Sequence, residues 1–209
     1  MSFSFPLTPP AEPGFLEFEW DPDSSVAKQI NPFDLTRKIY AWEGQIRLAT
    51  VKVSPMTRAQ AMLWQAFFHA LNGIQGTFYL QDPVGAATRG AYLGRIGYSP
   101  AVKGAGQTGV DLLTDGWPHS LSGLLLAGDW IAIAGRLYQL LADTNSDGSG
   151  NATLTVWPNV GGLADDAPIS VGAAAFGTFR LTAWPKLPWY VEYYMQGLTF
   201  GVEEAVPAT

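Results

Sequence analysis

The chain has 209 residues, 47% hydrophobic and 13% aromatic, with no cysteine, a net charge of −6 and a pI near 4.8. The acidic balance argues against a broad phosphate-binding surface, and the lack of cysteine excludes a disulfide scaffold, a thiolate zinc site and a cysteine nucleophile. Eight Trp among 23 Gly and 15 Pro suggest a mainly β protein rich in turns, and a charged fraction of only 14% is expected where much of the surface is covered by partners.

Residues 1–14 carry Pro6, Pro9, Pro10 and Pro13 and read as an extended arm with little secondary structure. There is no basic n-region and no long apolar h-region, so this is not a signal peptide. Residues 15–20 alternate weakly and predict a strand. Residues 21–32 show turn chemistry in Asp21-Pro22-Asp23 and Asn31-Pro32. Residues 38–53 read as a hairpin whose two runs meet at Glu43-Gly44, the second exposing Arg47 and Lys52.

Residues 56–83, MTRAQAMLWQAFFHALNGIQGTFYLQDP, predict a helix, a turn and a strand. Thr57 and Gln60 form a capping-box pattern, and Gly73 supplies the left-handed stop. Ala59, Met62, Leu63, Ala66, Phe67, Ala70 and Leu71 recur at helical spacing, making Met62, Leu63, Phe67 and Leu71 the expected core anchors. Arg58, Gln65, His69 and Asn72 form a polar stripe opposite, while Trp64 and Phe68 widen the apolar side. Residues 76–80 read as a strand that stops at Asp82-Pro83.

Beyond residue 83 the character changes. Residues 84–90 are small and loop-like, 92–98 suggest a strand, and a glycine-rich turn precedes short β signals at 110–113, 124–133, 137–141 and 152–157. Such spacing suggests a small barrel. The longest apolar stretches, such as 124–134, are too short to span a bilayer. Residues 179–201 return to long β-branched and aromatic runs. The chain therefore reads as a discontinuous domain, 1–88 and 177–209, carrying an inserted β-domain at 89–176.

No motif completes a chemistry. Gly104-Ala105-Gly106-Gln107-Thr108-Gly109 fits the GxGxxG spacing, but no helix follows, so it reads as a turn between strands. The run starting at Asp143 opens like a calcium loop, yet its twelfth position is Leu154, and Asn, Asp, Ser and Gly favour hairpin turns on their own. His69 and His119 are isolated. Asp165-Asp166 and Glu203-Glu204 read as solvated charges rather than a glycosidase pair. No catalytic residue, cofactor or metal ligand is expected, and the chain is not read as an enzyme.

Residues 56–83, together with GAGQTGVDLLTDGWP, LLAGDWIAIAGRLYQLLADTNSDGSGNATLTVWP and the closing GLTFGVEEA, resemble the distal tail proteins of long-tailed bacteriophages and gene transfer agents. The resemblance spans most of residues 40–205. It implies a mainly β fold with one prominent α-helix: a tail-tube-like two-sheet β-domain with an inserted small OB-like β-barrel. It also implies a structural virion protein, made in the bacterial cytoplasm, forming a hexameric ring at the tail tip. The implied partners are other copies of the chain, the tail tube protein, baseplate hub proteins, and tail fibre or receptor-binding proteins. No membrane and no sequence-specific nucleic acid is expected. In this setting the arm at 1–14 is expected to lie on a neighbouring subunit or the next ring.

The alternative is a carbohydrate-binding β-module used in host attachment, with Trp117, Trp130, Tyr138 and Trp157 as candidate sugar-stacking residues. Against it stands the reading that these rings fill a small barrel core.

Overall fold

Two long strands, β1 (Phe15–Ile30) and β2 (Arg37–Val53), open the fold in the computed structural model, which describes residues 3–92, 97–187, 194–195 and 197–206. They pair as one antiparallel ribbon, from Phe15↔Val53 to Ile30↔Arg37. Residues 21–30 are thus strand rather than turn, and 38–53 is a single strand rather than a hairpin. The Glu43-Gly44 punctuation is a bulge: Ser24 pairs with Gln45 and Val26 with Ala41, so Trp42, Glu43 and Gly44 are accommodated opposite Ser25. The true turn is built by side chains. Asn31 Oδ1 accepts from Phe33 N at 3.1 Å, and Asp34 Oδ1 accepts from Thr36 N at 2.9 Å.

The inner half of the ribbon joins a five-stranded sheet in the order β1-β2-β13-β11-β4, with β4 at Thr77–Leu80, β11 at Gly177–Leu181 and β13 at Leu198–Glu204. Strand alternation decides what is buried. Arg47, Ala49, Val51 and Val53 share one face of β2 and all are buried, so Arg47 faces inward while Lys52 is exposed. The same parity buries Leu198, Phe200, Val202 and Glu204 on β13. Glu204 is therefore not the solvated tail charge its position near the chain end suggests.

The helix α1 (Arg58–Leu71) packs on this sheet. Its capping box forms: Thr57 accepts from Gln60 N, and the Gln60 side chain accepts from Thr57 N at 3.0 Å. The left-handed C-cap is Asn72, one residue before Gly73. The buried face is Ala61, Trp64, Phe67, Phe68 and Leu71. Met62 and Leu63, expected as core anchors, are 54% and 61% exposed. The helix is rotated from the aliphatic stripe because a Trp and a Phe bury more apolar area than Met and Leu, and area decides the facing. Trp64 and Phe68 meet Phe200 at 5.9 and 5.3 Å between ring centroids. Phe67 meets Phe78 at 5.5 Å. Ala59, Met62, Leu63 and Ala66 are left as an exposed apolar stripe.

The N-terminal arm lies on its own chain. Leu7 N donates to Thr77 O at 2.8 Å and Tyr79 N donates to Leu7 O at 2.9 Å, adding a parallel bridge to the edge of β4. Trp64 Nε1 donates to Glu12 O at 3.3 Å. An edge strand presents unpaired backbone groups, and Leu7 of the same chain satisfies those of Thr77 and Tyr79.

The second sheet has six strands in the order β10-β7-β8-β9-β6-β5. They are β5 (Ala101–Val102), β6 (Thr108–Asp115), β7 (Trp130–Ile133), β8 (Arg136–Leu140), β9 (Ala152–Gly161) and β10 (Ile169–Val171). A bridge between Ala101 and Pro168 links β5 to the residue before β10, so the sheet nearly closes into a barrel. Of the strand expected at 92–98, residues 93–96 lie outside the described residues, as do 188–193 and 196 of the late aromatic run. Two short strands, β3 (Met56–Thr57) and β12 (Tyr194–Met195), pair beside the helix.

β7 is buried on both faces. Ile131 and Ile133 enter the barrel core, while Trp130 and Ala132 join the core under the first sheet. β8 splits the same way, with Leu137 outward and Tyr138 and Leu140 inward. The barrel thus shares a hydrophobic seam with the five-stranded sheet.

Candidate functional site: the cleft along the seam

The seam is pinned by a charge. From β2, Arg47 reaches the barrel, where Nη1 donates to Leu137 O at 2.7 Å and Nη2 to Trp157 O at 2.8 Å. Its Cζ lies 4.5 Å from the Trp130 ring centroid and 4.7 Å from that of Trp157, with Trp20 at 6.0 Å. Two rings at this range make a cation–π cage, which is strongest where water is excluded. Burial pulls the guanidinium down to about 10, opposed by the nearby Glu204 carboxylate.

A second arginine completes the link. Arg136 on β8 places Nε 3.1 Å from Glu204 Oε1 and donates from Nη2 to Gln45 O at 2.7 Å. The Gln45 side chain accepts in turn from Asn159 N at 2.7 Å. Glu204 is buried, so its charge is compensated by Arg136 and by the Arg47 backbone N–H at 3.4 Å.

Entry into the barrel is fixed by Asp129. Its carboxylate accepts from Arg89 N at 2.9 Å, Gly90 N at 3.2 Å and Leu126 N at 2.9 Å. The small residues just before it have a packing reason. A Cβ at Gly85 would overlap the Trp130 indole.

Above Arg47 the two sheets leave an open cleft of about 470 Å³. Its walls are Trp20 from β1, Asp82 after β4, and Trp130, Gln139 and Trp157 from the barrel, with Asp23 and Leu141 at the rim. The Trp20 indole N–H is buried and has no acceptor among the described residues.

The four aromatic residues expected to stack on sugar are split. Trp130 and Trp157 come together at the cleft. Trp117 and Tyr138 do not, for both are buried in the barrel core. Trp117 Nε1 donates to Thr114 Oγ1 at 2.7 Å, and Tyr92 packs edge-on at 5.0 Å. A barrel of this size must be filled by its own side chains, which leaves these two rings no free face. Sequence reasoning missed Trp20, Arg47, Asp82 and Gln139. The legible signal was Arg47, which shares its parity with three apolar residues of β2.

The remaining motifs are structural turns. Gln107, within the glycine-rich run, donates to Lys103 O at 2.8 Å and accepts from Leu113 N at 2.7 Å, closing the β5–β6 hairpin. In the polar loop, Asp147 Oδ1 accepts from Ser149 N and Asn151 N, both at 2.8 Å, and Oδ2 accepts from Asn151 Nδ2 at 2.8 Å. Asp143 and Asn145 accept from Ala127 N and Gly123 N at 2.8 and 2.7 Å. These oxygens are spent on donors of the loop itself and of the neighbouring segment 123–127. Among the described residues no group of three or more His, Asp or Glu could hold a metal ion, and no helix is long and apolar enough to cross a membrane. Neither a family model nor a curated protein matches the chain.

Proposed function

We propose that this chain is a ring-forming structural subunit of a phage-type tail tip, joining the end of the tail tube to the baseplate hub. The observation that carries self-assembly is the outer half of the β1–β2 ribbon. β13 pairs with β2 only from Leu48 to Val53, so beyond that point, among the described residues, the two strands pair as a ladder only with each other. Phe33 is 96% exposed, and Ile30, Ile39 and Trp42 are also open to solvent. A lone two-stranded ribbon is marginal in water, and exposed apolar residues gathered on one projection mark a contact surface.

The stripe Ala59, Met62, Leu63 and Ala66 on α1 offers a second, different surface. A closed ring needs two such faces per subunit, engaged head to tail. The occupant of the helix stripe is then the ribbon of an adjacent copy. The tail-tip identity and a six-fold ring rest on the sequence resemblance.

The test is assembly. Phe33→Asp combined with Trp42→Ser should leave the melting transition near that of the parent and abolish incorporation into tails, read by imaging complemented particles. Normal incorporation of the double variant, or a particle structure placing this chain away from the tail axis, overturns the reading.

A further inference from the structure

We propose that the cleft between the two sheets is a binding site for a neutral saccharide. The chemistry of its walls selects this class by elimination. An anion is disfavoured, because Asp23 and Asp82 face the same space and the one cation, Arg47, already spends two guanidinium N–H groups on Leu137 O and Trp157 O. A cation finds the aromatic cage already filled by Arg47, and Asp82 Oδ1 already accepts from Val84 N at 2.9 Å. What remains is a neutral ligand that combines apolar C–H faces with many hydroxyls. Half-buried Trp20 and Trp157 offer ring surface for the former, while Asp82 and Gln139 offer an acceptor and an amide for the latter.

One further observation favours a site over a mere gap. Gln139 is held by one long hydrogen bond, 3.4 Å to Gly128 O, which leaves its carbonyl oxygen and second N–H for a ligand. The volume, about 470 Å³, suits a mono- or disaccharide among small-ligand sites. Trp130 is held in place, with Arg47 over its ring and Gly85 against the edge of its indole.

This site differs from a barrel-borne sugar module. Half of its wall comes from the first sheet, so it exists only in the intact chain. It is also independent of the ring, because the measurement uses the purified chain. Glucose, galactose, mannose and N-acetylglucosamine are each presented to the full-length protein, and saturation-transfer NMR reads the contact. At least one sugar should show saturable transfer to its ring protons. Gln139→Ala should weaken it about tenfold, the scale of one hydrogen-bonding side chain. Leu141→Trp, at an exposed rim position, should block it while leaving the melting transition in place. Transfer to none of the four sugars, or transfer undiminished in Leu141→Trp, overturns the proposal. So does an arginine amide probe that competes for the cleft, which would mark it as a peptide-cation site.

Discussion

The guanidinium of Arg47 sits 4.5 Å from the ring centroid of Trp130, and this pair fastens the barrel to the five-stranded sheet. Arg47→Ala would leave two barrel carbonyls without their donors and two rings without the charge between them. The expected loss is about 3–5 kcal/mol, the scale of breaking a buried charged contact. Arg47→Lys should not rescue it, because one ammonium cannot span Leu137 O and Trp157 O while lying flat between rings. Urea unfolding of the three proteins checks this. The folded value near 10 lies below that of an ordinary guanidinium, so the unfolded chain binds more protons above about pH 10. Stability should therefore rise with pH only above about 10, and this group contributes no acid sensitivity.

The helix makes a paired prediction. Phe67→Ala removes a buried ring that meets Phe78, and should cost about 3–5 kcal/mol. Met62→Ala, on the exposed stripe, should stay within about 0.5 kcal/mol. Thermal melts of the two variants decide the facing, since equal effects would contradict the buried set.

Deleting residues 1–13 should lower the melting temperature. It removes the Leu7 bridge to β4 and the Glu12 carbonyl that accepts from Trp64 Nε1. It also uncovers core that Leu7 packs against. A melting temperature equal to the parent's would show that the arm is not a structural part of its own sheet.

Asp147 links the polar loop to pH. Hydrogen bonds from Asn151 and Ser149 hold its carboxyl below the ordinary carboxylate value. A lowered folded value means the contribution is present above the unfolded value and is lost as pH falls through the folded one. Asp147→Asn should flatten that part of the acid limb in a pH series of melts. Calcium should not raise the melting temperature of the parent, because a ligand that does not bind the native state cannot stabilise it. A calcium-dependent rise that disappears in Asp147→Asn would contradict this.

Local rules in the sequence determined much of the molecule. The capping box at Thr57 and Gln60, the strand at 77–80 and the mainly β, one-helix class follow from spacing and turn chemistry that act within a few residues. The turns at Gln107 and Asp147 follow from side chains bonding their own backbone. Other features depended on contacts that no local rule contains. The helix turned its aromatic side inward because the sheet opposite offered Phe78 and Phe200, and so Met62 and Leu63 went to solvent. The bulge at Glu43-Gly44 mimics a turn until its partner strand is known, because both use the same residues. Arg47 and Glu204 read as surface charges since burying a charge is costly. Only the tertiary structure supplied the Trp130 and Trp157 rings and the Arg136 side chain that compensate it. The cleft likewise exists only where β1, β8 and β9 meet, because its walls come from residues more than a hundred positions apart.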